Sequence, residues 1–117
     1  LIKPELISSA FKSAELHGNA ILSVPAKDSI RKYDRVLKKY ISVKRDEIRI
    51  IQTPQIFKLN SLRKAFNQTY STEFTDDASV VESTGETIHL VDGDYANLKI
   101  TTSEDLSLAE SLMKSAY

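Results

Sequence analysis

The chain has 117 residues, 41% apolar and 27% charged, the composition of one globular domain and not of a disordered or fibrous protein. Sixteen Lys and Arg balance sixteen Asp and Glu, so no net field draws nucleic acid or an anionic membrane, and any anion site must be local. Without Cys there are no disulfides or thiolate metal sites, and no apolar run approaches the ~20 residues of a membrane span; together with the lack of a signal-peptide pattern, this reads as a cytoplasmic protein.

The chain starts at Leu1 and its one Met is Met113, which predicts a piece of a longer polypeptide. Gly18, Gly85 and Gly93 lie far apart, so no Gly-rich loop can cradle phosphates through backbone N–H groups, and a nucleotide site built from these residues alone is not expected.

Residues 3–17 have the pattern of an amphipathic helix. Pro4 suits its first turn, Glu5 the positive end of its dipole, and Leu6, Ile7, Ala10, Phe11 and Ala14 recur at helical spacing. His17-Gly18 reads as a stop, with His17 at the negative helix end, although a His there could also serve as a ligand. Residues 20–24, closed by Pro25, are expected as a buried strand of a mostly parallel sheet.

Residues 28–44 are rich in Lys and Arg, with Ile30, Val36, Tyr40, Ile41 and Val43 scattered among them. Tyr33-Asp34 is expected as the turn of a hairpin joining 28–32 to 36–44. Such a hairpin is too polar to be core. It could be a nucleic-acid finger, a solvated edge or an arm reaching a partner subunit; composition alone favours the solvated edge.

Ile48, Ile50 and Ile51 read as a strand that Thr53-Pro54-Gln55 should stop, because Pro cannot donate to a ladder. A strand ending in a polar loop before a helix is where α/β proteins place ligands. Asn60 or Ser61 is expected to cap a helix running to about Gln68, with Leu62, Ala65 and Phe66 buried. Thr75 or Asp76 should cap a second short helix that buries Ala78, Val80 and Val81 and closes at Gly85. Capping accounts for part of Thr75-Asp76-Asp77 and leaves one acid over.

Ile88, Leu90 and Val91 predict a strand ending at the turn Asp92-Gly93-Asp94, with His89 packed or at the surface. Residues 97–101 predict another strand, on which Lys99 faces either a crevice or solvent. Thr102 or Ser103 should cap a last helix, acidic at Glu104 and Asp105, with Leu106, Ala109, Leu112, Met113 and Ala116 on a face that packs on the sheet.

Three pieces in this order, Gln52-Thr53-Pro54-Gln55-Ile56-Phe57, Thr75-Asp76-Asp77-Ala78-Ser79 and Asn97-Leu98-Lys99-Ile100-Thr101, followed by Asp105-Leu106, resemble the methylerythritol phosphate cytidylyltransferases, the IspD family. Asp28-Ser29 and Arg45, eight residues before Thr53, add to the resemblance, which covers essentially the whole chain as the C-terminal half of such a protein. It implies an α/β, Rossmann-like nucleotidyltransferase fold with a protruding β-arm. It also implies transfer of a cytidylyl group from CTP to 2-C-methyl-D-erythritol 4-phosphate with release of pyrophosphate, magnesium as cofactor, and a homodimer exchanging arms. The hairpin 28–44 would then be the dimerisation arm and not a solvated edge.

By the same resemblance Arg45 would hold the sugar phosphate in the partner's site through a forked contact, and Lys99 would orient that phosphate or the nucleotide as a point charge. Ser29, where the family usually has Thr, and Thr75 would supply hydroxyl contacts, and Thr53 would order its loop. Lys44 stands where the family usually has an acid, which bears on the orientation of Arg45. The family's Gly-rich loop, with its Arg and Lys, and its metal-binding Asp have no counterpart in these residues, so the ligands of magnesium are expected elsewhere and the fragment alone is expected to be inactive. The rival readings are an alditol-phosphate cytidylyltransferase, acting for example on ribitol phosphate, and a noncatalytic dimerisation module. The Asp76-Asp77-Ala78-Ser79 run and the arm with Arg45 favour methylerythritol phosphate over ribitol phosphate.

Overall fold

The computed structural model describes residues 1–116, except for the side chain of Ala116, so the expected facing of Ala116 lies outside the described residues. In chain order the elements are α1 (Pro4–His17), β1 (Asn19–Pro25), β2 (Ile30–Asp34), β3 (Lys39–Val43), a single 3-10 turn (Arg45–Glu47), β4 (Arg49–Phe57), α2 (Leu59–Phe66), α3 (Asp77–Glu82), β5 (Leu90–Asp92) and α4 (Ser103–Ala116).

β1 is the centre. Its residues from Asn19 to Val24 are all buried, as a strand covered on both faces requires. It pairs with β4 on one side and β5 on the other, giving the order β4-β1-β5. The β5 pairing is parallel, but the β4 pairing is antiparallel, so the sheet is mixed and not mostly parallel as expected. α1 packs on β1 and β4 and buries Ala10 and Ala14. It ends as its sequence implied: Gly18 takes the left-handed conformation, φ 93°, and its N–H returns to the Ala14 carbonyl at 2.8 Å. His17 stacks on His89 with ring centroids 5.0 Å apart.

The polar groups that β1 buries are satisfied. The Asn19 side chain donates to the Glu86 carboxylate and the Thr87 carbonyl and accepts from the His89 N–H at 2.8 Å. Arg49 donates to the hydroxyl and carbonyl of Ser23, both at 3.0 Å, and pairs with Asp92 at 2.7 Å, tying β4, β1 and β5 together at one end.

Several sequence expectations give way here. Pro54 does not stop its strand: β4 runs on to Phe57 through a cis Thr53–Pro54 bond. The register explains why. Ile21 faces Gln55 while Ser23 faces Ile51, so β4 carries extra residues against β1 and Pro54 falls in that irregularity, where the ladder asks for no N–H. In the hairpin, Tyr33 and Asp34 belong to β2, and the turn is Arg35–Lys38, with Lys38 at φ 52°. The Asp34 carboxylate accepts from the Val36 and Leu37 N–H groups, so Asp34 opens the turn from its preceding position.

Asn60 and Ser61 lie inside α2, whose N-cap is Lys58 with no side-chain cap, and Phe66 is 56% exposed where burial was expected. Residues 97–101 do not form a strand; with no ladder partner they follow an irregular path. α4 buries Ala109 but leaves Leu106 and Met113 about half exposed, so it is not the helix laid fully on the sheet that its pattern suggested. The small cluster of Ala65, Val80 and Val81, with Phe57, Leu62, Phe74 and Ile88 around it, joins α2 and α3 to the end of β4.

Candidate functional site

Three loops meet beyond the C-terminal end of β1. The first is the irregular stretch of β4, where Gln52 and Thr53 bulge away from the ladder. The second follows β5. Gly93 donates its N–H to the Ser23 carbonyl at 2.8 Å and lies so close to the Gln52 side chain that any Cβ would collide with it. The chain then crosses the end of β1 and is fastened to the bulge by two side-chain amides: Gln52 donates to the Asp94 carbonyl at 2.8 Å and Asn97 to the Thr53 carbonyl at 2.7 Å. These bonds hold residues 97–99 in place without a sheet ladder.

The third loop leads into α3. Asp76 is its N-cap and forms a capping box with Ser79: the Asp76 carboxylate accepts the Ser79 N–H at 2.8 Å, and the Ser79 hydroxyl accepts the Asp76 N–H at 3.2 Å. Gln55 joins this loop to β4, accepting from the Ala78 N–H at 3.0 Å and donating to the other Asp76 oxygen at 3.2 Å. Asp76 is therefore the cap, which leaves the Thr75 side chain out of that work, and Asp77 is the exposed acid in the first turn.

Between the loops lies a cavity of about 750 Å3. Thr53, Thr75 and Lys99, three of the five residues singled out from sequence, line it. Lys99 stands at the rim of this cavity and is also exposed to solvent, on an irregular segment and not on the edge strand expected. Ser29 and Arg45 stand off its wall, at the base of the hairpin: Ser29 follows the lining residue Asp28, and the Arg45 guanidinium donates to the Lys27 carbonyl at 2.7 Å. Sequence reasoning gave no site role to Lys27, Gln55, Tyr95 and Asn97, all of which line the cavity. Polar residues flanking Pro54 and just past the Asp92-Gly93-Asp94 turn were the available signal; what hid it was the reading of Pro54 as a strand end and of residues 97–101 as a strand. Among the described residues no group of three or more His, Asp or Glu side chains is placed to hold a metal ion.

The hairpin stands apart from this site. Its strands pair in register from Ile30 with Val43 to Asp34 with Lys39, and the Tyr33 and Tyr40 rings meet edge to face at 5.2 Å. Tyr33, Val36, Leu37 and Tyr40 are exposed.

Comparison with known proteins gives a consistent result. The family model of 2-C-methyl-D-erythritol 4-phosphate cytidylyltransferase, IspD, matches residues 1–115. The chain is 39% identical over 117 residues to the enzyme of that name from Clostridium novyi, covering 97% of this chain and 50% of the relative. With the one from Alkaliphilus oremlandii it shares 36% identity over 116 residues, covering 97% of this chain and 49% of the relative. Among solved structures, the 2-C-methyl-D-erythritol 4-phosphate cytidylyltransferase of Thermus thermophilus superposes with a TM-score of 0.82 at 30% identity, over 97% of this chain and 57% of that one. The 4-diphosphocytidyl-2C-methyl-D-erythritol synthase of Anaerococcus prevotii gives 0.81 at 26% identity, over 97% and 54%. The chain thus spans about half the length of the curated relatives it matches.

Proposed function

Because the chain belongs to the 2-C-methyl-D-erythritol 4-phosphate cytidylyltransferase family, we propose that it is the C-terminal portion of a nucleotidyltransferase domain that joins CTP to 2-C-methyl-D-erythritol 4-phosphate. The observation that carries this reading is the single cavity into which β4, the α3 loop and the segment after β5 bring Thr53, Thr75 and Lys99. In the reaction an oxygen of the sugar phosphate attacks the α-phosphorus of CTP; the new P–O bond forms as the bond to the bridging oxygen breaks, and pyrophosphate leaves. Two anions must be brought together while charge builds on the five-coordinate phosphorus, and fixed cations offset that repulsion.

In this proposal Lys99 neutralises and orients the acceptor phosphate or the nucleotide, and Thr75 and Ser29 donate hydroxyl hydrogen bonds to the substrate. Thr53 orders the loop, whose backbone Asn97 already holds through the Thr53 carbonyl. Arg45 holds the phosphate in the partner subunit's site through a forked, charge-assisted contact. The hairpin 28–44 is the arm exchanged in a homodimer, which accounts for its exposed Tyr33, Val36, Leu37 and Tyr40. Magnesium would offset charge on the nucleotide phosphates, and we assign its ligands to residues outside this chain.

The test is Arg45→Ala in the full-length protein. We expect turnover to fall by at least about ten-fold, the scale of one lost charged hydrogen bond, with little change in CTP affinity. Unchanged turnover removes Arg45 from the mechanism. A substrate panel on the wild type separates this reading from its nearest rival, since preference for ribitol phosphate would refute methylerythritol phosphate as acceptor.

A further inference from the structure

The cavity holds a second cation to which neither the family resemblance nor the reading above gives a role. Lys27 lines it together with Lys99. Its ammonium lies 3.6 Å from the centroid of the Tyr95 ring. The Tyr95 hydroxyl donates to the Pro25 carbonyl at 2.6 Å, which holds the ring across the end of β1 as a seat for the lysine. The Lys27 carbonyl in turn accepts the Arg45 guanidinium at 2.7 Å. One residue therefore presents a charge to the cavity with its side chain and steadies the arm arginine with its backbone.

The choice of partner matters. A carboxylate beside Lys27 would cancel its charge and repel an incoming phosphate, whereas a ring face orients an ammonium and leaves its positive charge in place. Two acids also line the cavity, Asp28 and Asp76. Both Asp76 oxygens are engaged by Ser79 and Gln55, and among the described residues the one ion pair is Arg49 with Asp92, so no carboxylate lies within 4 Å of the Lys27 ammonium. The ring covers one side of the ammonium, and the N–H donors on its other side are left for an anion. We propose that Lys27 is a further binding residue for the phosphate of the acceptor, and that Tyr95 is its positioning residue; this rests on the cytidylyltransferase reading.

The test uses the full-length protein. Lys27→Met keeps the stem and removes the charge, and should raise KM for 2-C-methyl-D-erythritol 4-phosphate about ten-fold with KM for CTP unchanged. Lys27→Arg should restore most of that loss. Tyr95→Ala should raise the same KM by about two- to five-fold, and Tyr95→Phe, which keeps the ring face, by less. Lys27 and Tyr95 are both exposed, and an unchanged melting temperature confirms that the variants fold. A wild-type KM for the sugar phosphate in Lys27→Met, or an equal rise in both KM values, overturns the proposal; a wild-type KM in Tyr95→Ala overturns the part assigned to Tyr95. If the wild type does not use this substrate pair, the functional reading fails, but calorimetry with inorganic phosphate still judges Lys27. Weaker binding to Lys27→Met than to wild type supports it, and equal binding refutes it.

Discussion

Asp76 and Thr75 are neighbours with different work. Both Asp76 carboxylate oxygens serve structure, one on the Ser79 N–H and one on the Gln55 amide, so this acid fixes the loop that carries Thr75 to the cavity wall. Asp76→Ala removes the cap and leaves Gln55 without that acceptor. We expect a loss of about 1–2 kcal/mol from the full-length protein, read as a lower midpoint of chemical denaturation, and, on the proposed reading of Thr75, weaker acceptor binding as well. A midpoint equal to wild type would mean that the box contributes nothing. At this scale the sequence was partly legible: Ser, Thr and Asp before a short apolar run mark a helix start, but which of two adjacent residues caps is decided by backbone geometry, and here Asp76 is the extended residue at φ −159°.

Among the elements, α4 shows most clearly how local chemistry survives without tertiary help. The Asp105 carboxylate accepts from the Thr101 and Thr102 N–H groups and the Thr101 hydroxyl, while the Thr102 hydroxyl accepts the Asp105 N–H, a reciprocal cap that the sequence placed correctly. Those donors hold the Asp105 carboxyl below its ordinary range, the Thr101 N–H contributing most, and the Glu104 carboxyl is lowered by its own backbone N–H and then by Ser103. A carboxyl whose pKa is lower folded than unfolded adds stability that is present above the unfolded value and disappears as pH falls through the folded one. Acidification below the ordinary carboxylate range should therefore loosen the first turn of α4, seen as faster amide exchange there after correction for intrinsic rates, and Asp105→Asn should flatten that dependence. An exchange profile in wild type that does not change with pH would contradict it. β4 and residues 97–101 are the opposite case. Their course depends on a register irregularity and on amide bonds from Gln52 and Asn97, contacts between residues some forty positions apart that no local window contains.

At the scale of the whole molecule, the radius of gyration of 16.5 Å exceeds the ~13 Å expected of a compact domain of this length, because the hairpin projects and the sheet has only three strands. β4 and β5 are edges, and Phe11, Leu16, Leu106 and Leu108 are exposed. These features suit a portion of a larger fold. On the proposed reading, residues 1–117 alone should show no cytidylyl transfer from CTP to 2-C-methyl-D-erythritol 4-phosphate, whereas the full-length protein should. Transfer by the purified fragment without a complementing one would refute this.

The sequence by itself determined α1 with its Gly18 stop, the buried β1, the existence of the hairpin, the starts of α3 and α4 to within a residue, and the ordered motifs that point to the cytidylyltransferase family. Each depends on spacing or on donors and acceptors within a few residues. The tertiary structure alone decided the antiparallel seating of β4, the passage of that strand through Pro54, the crossing of the chain over β1 after Gly93, and hence which side chains share the cavity. Lys27 meets Tyr95 there because two strand ends converge, and convergence of distant segments is a property of packing that periodicity along the chain does not carry.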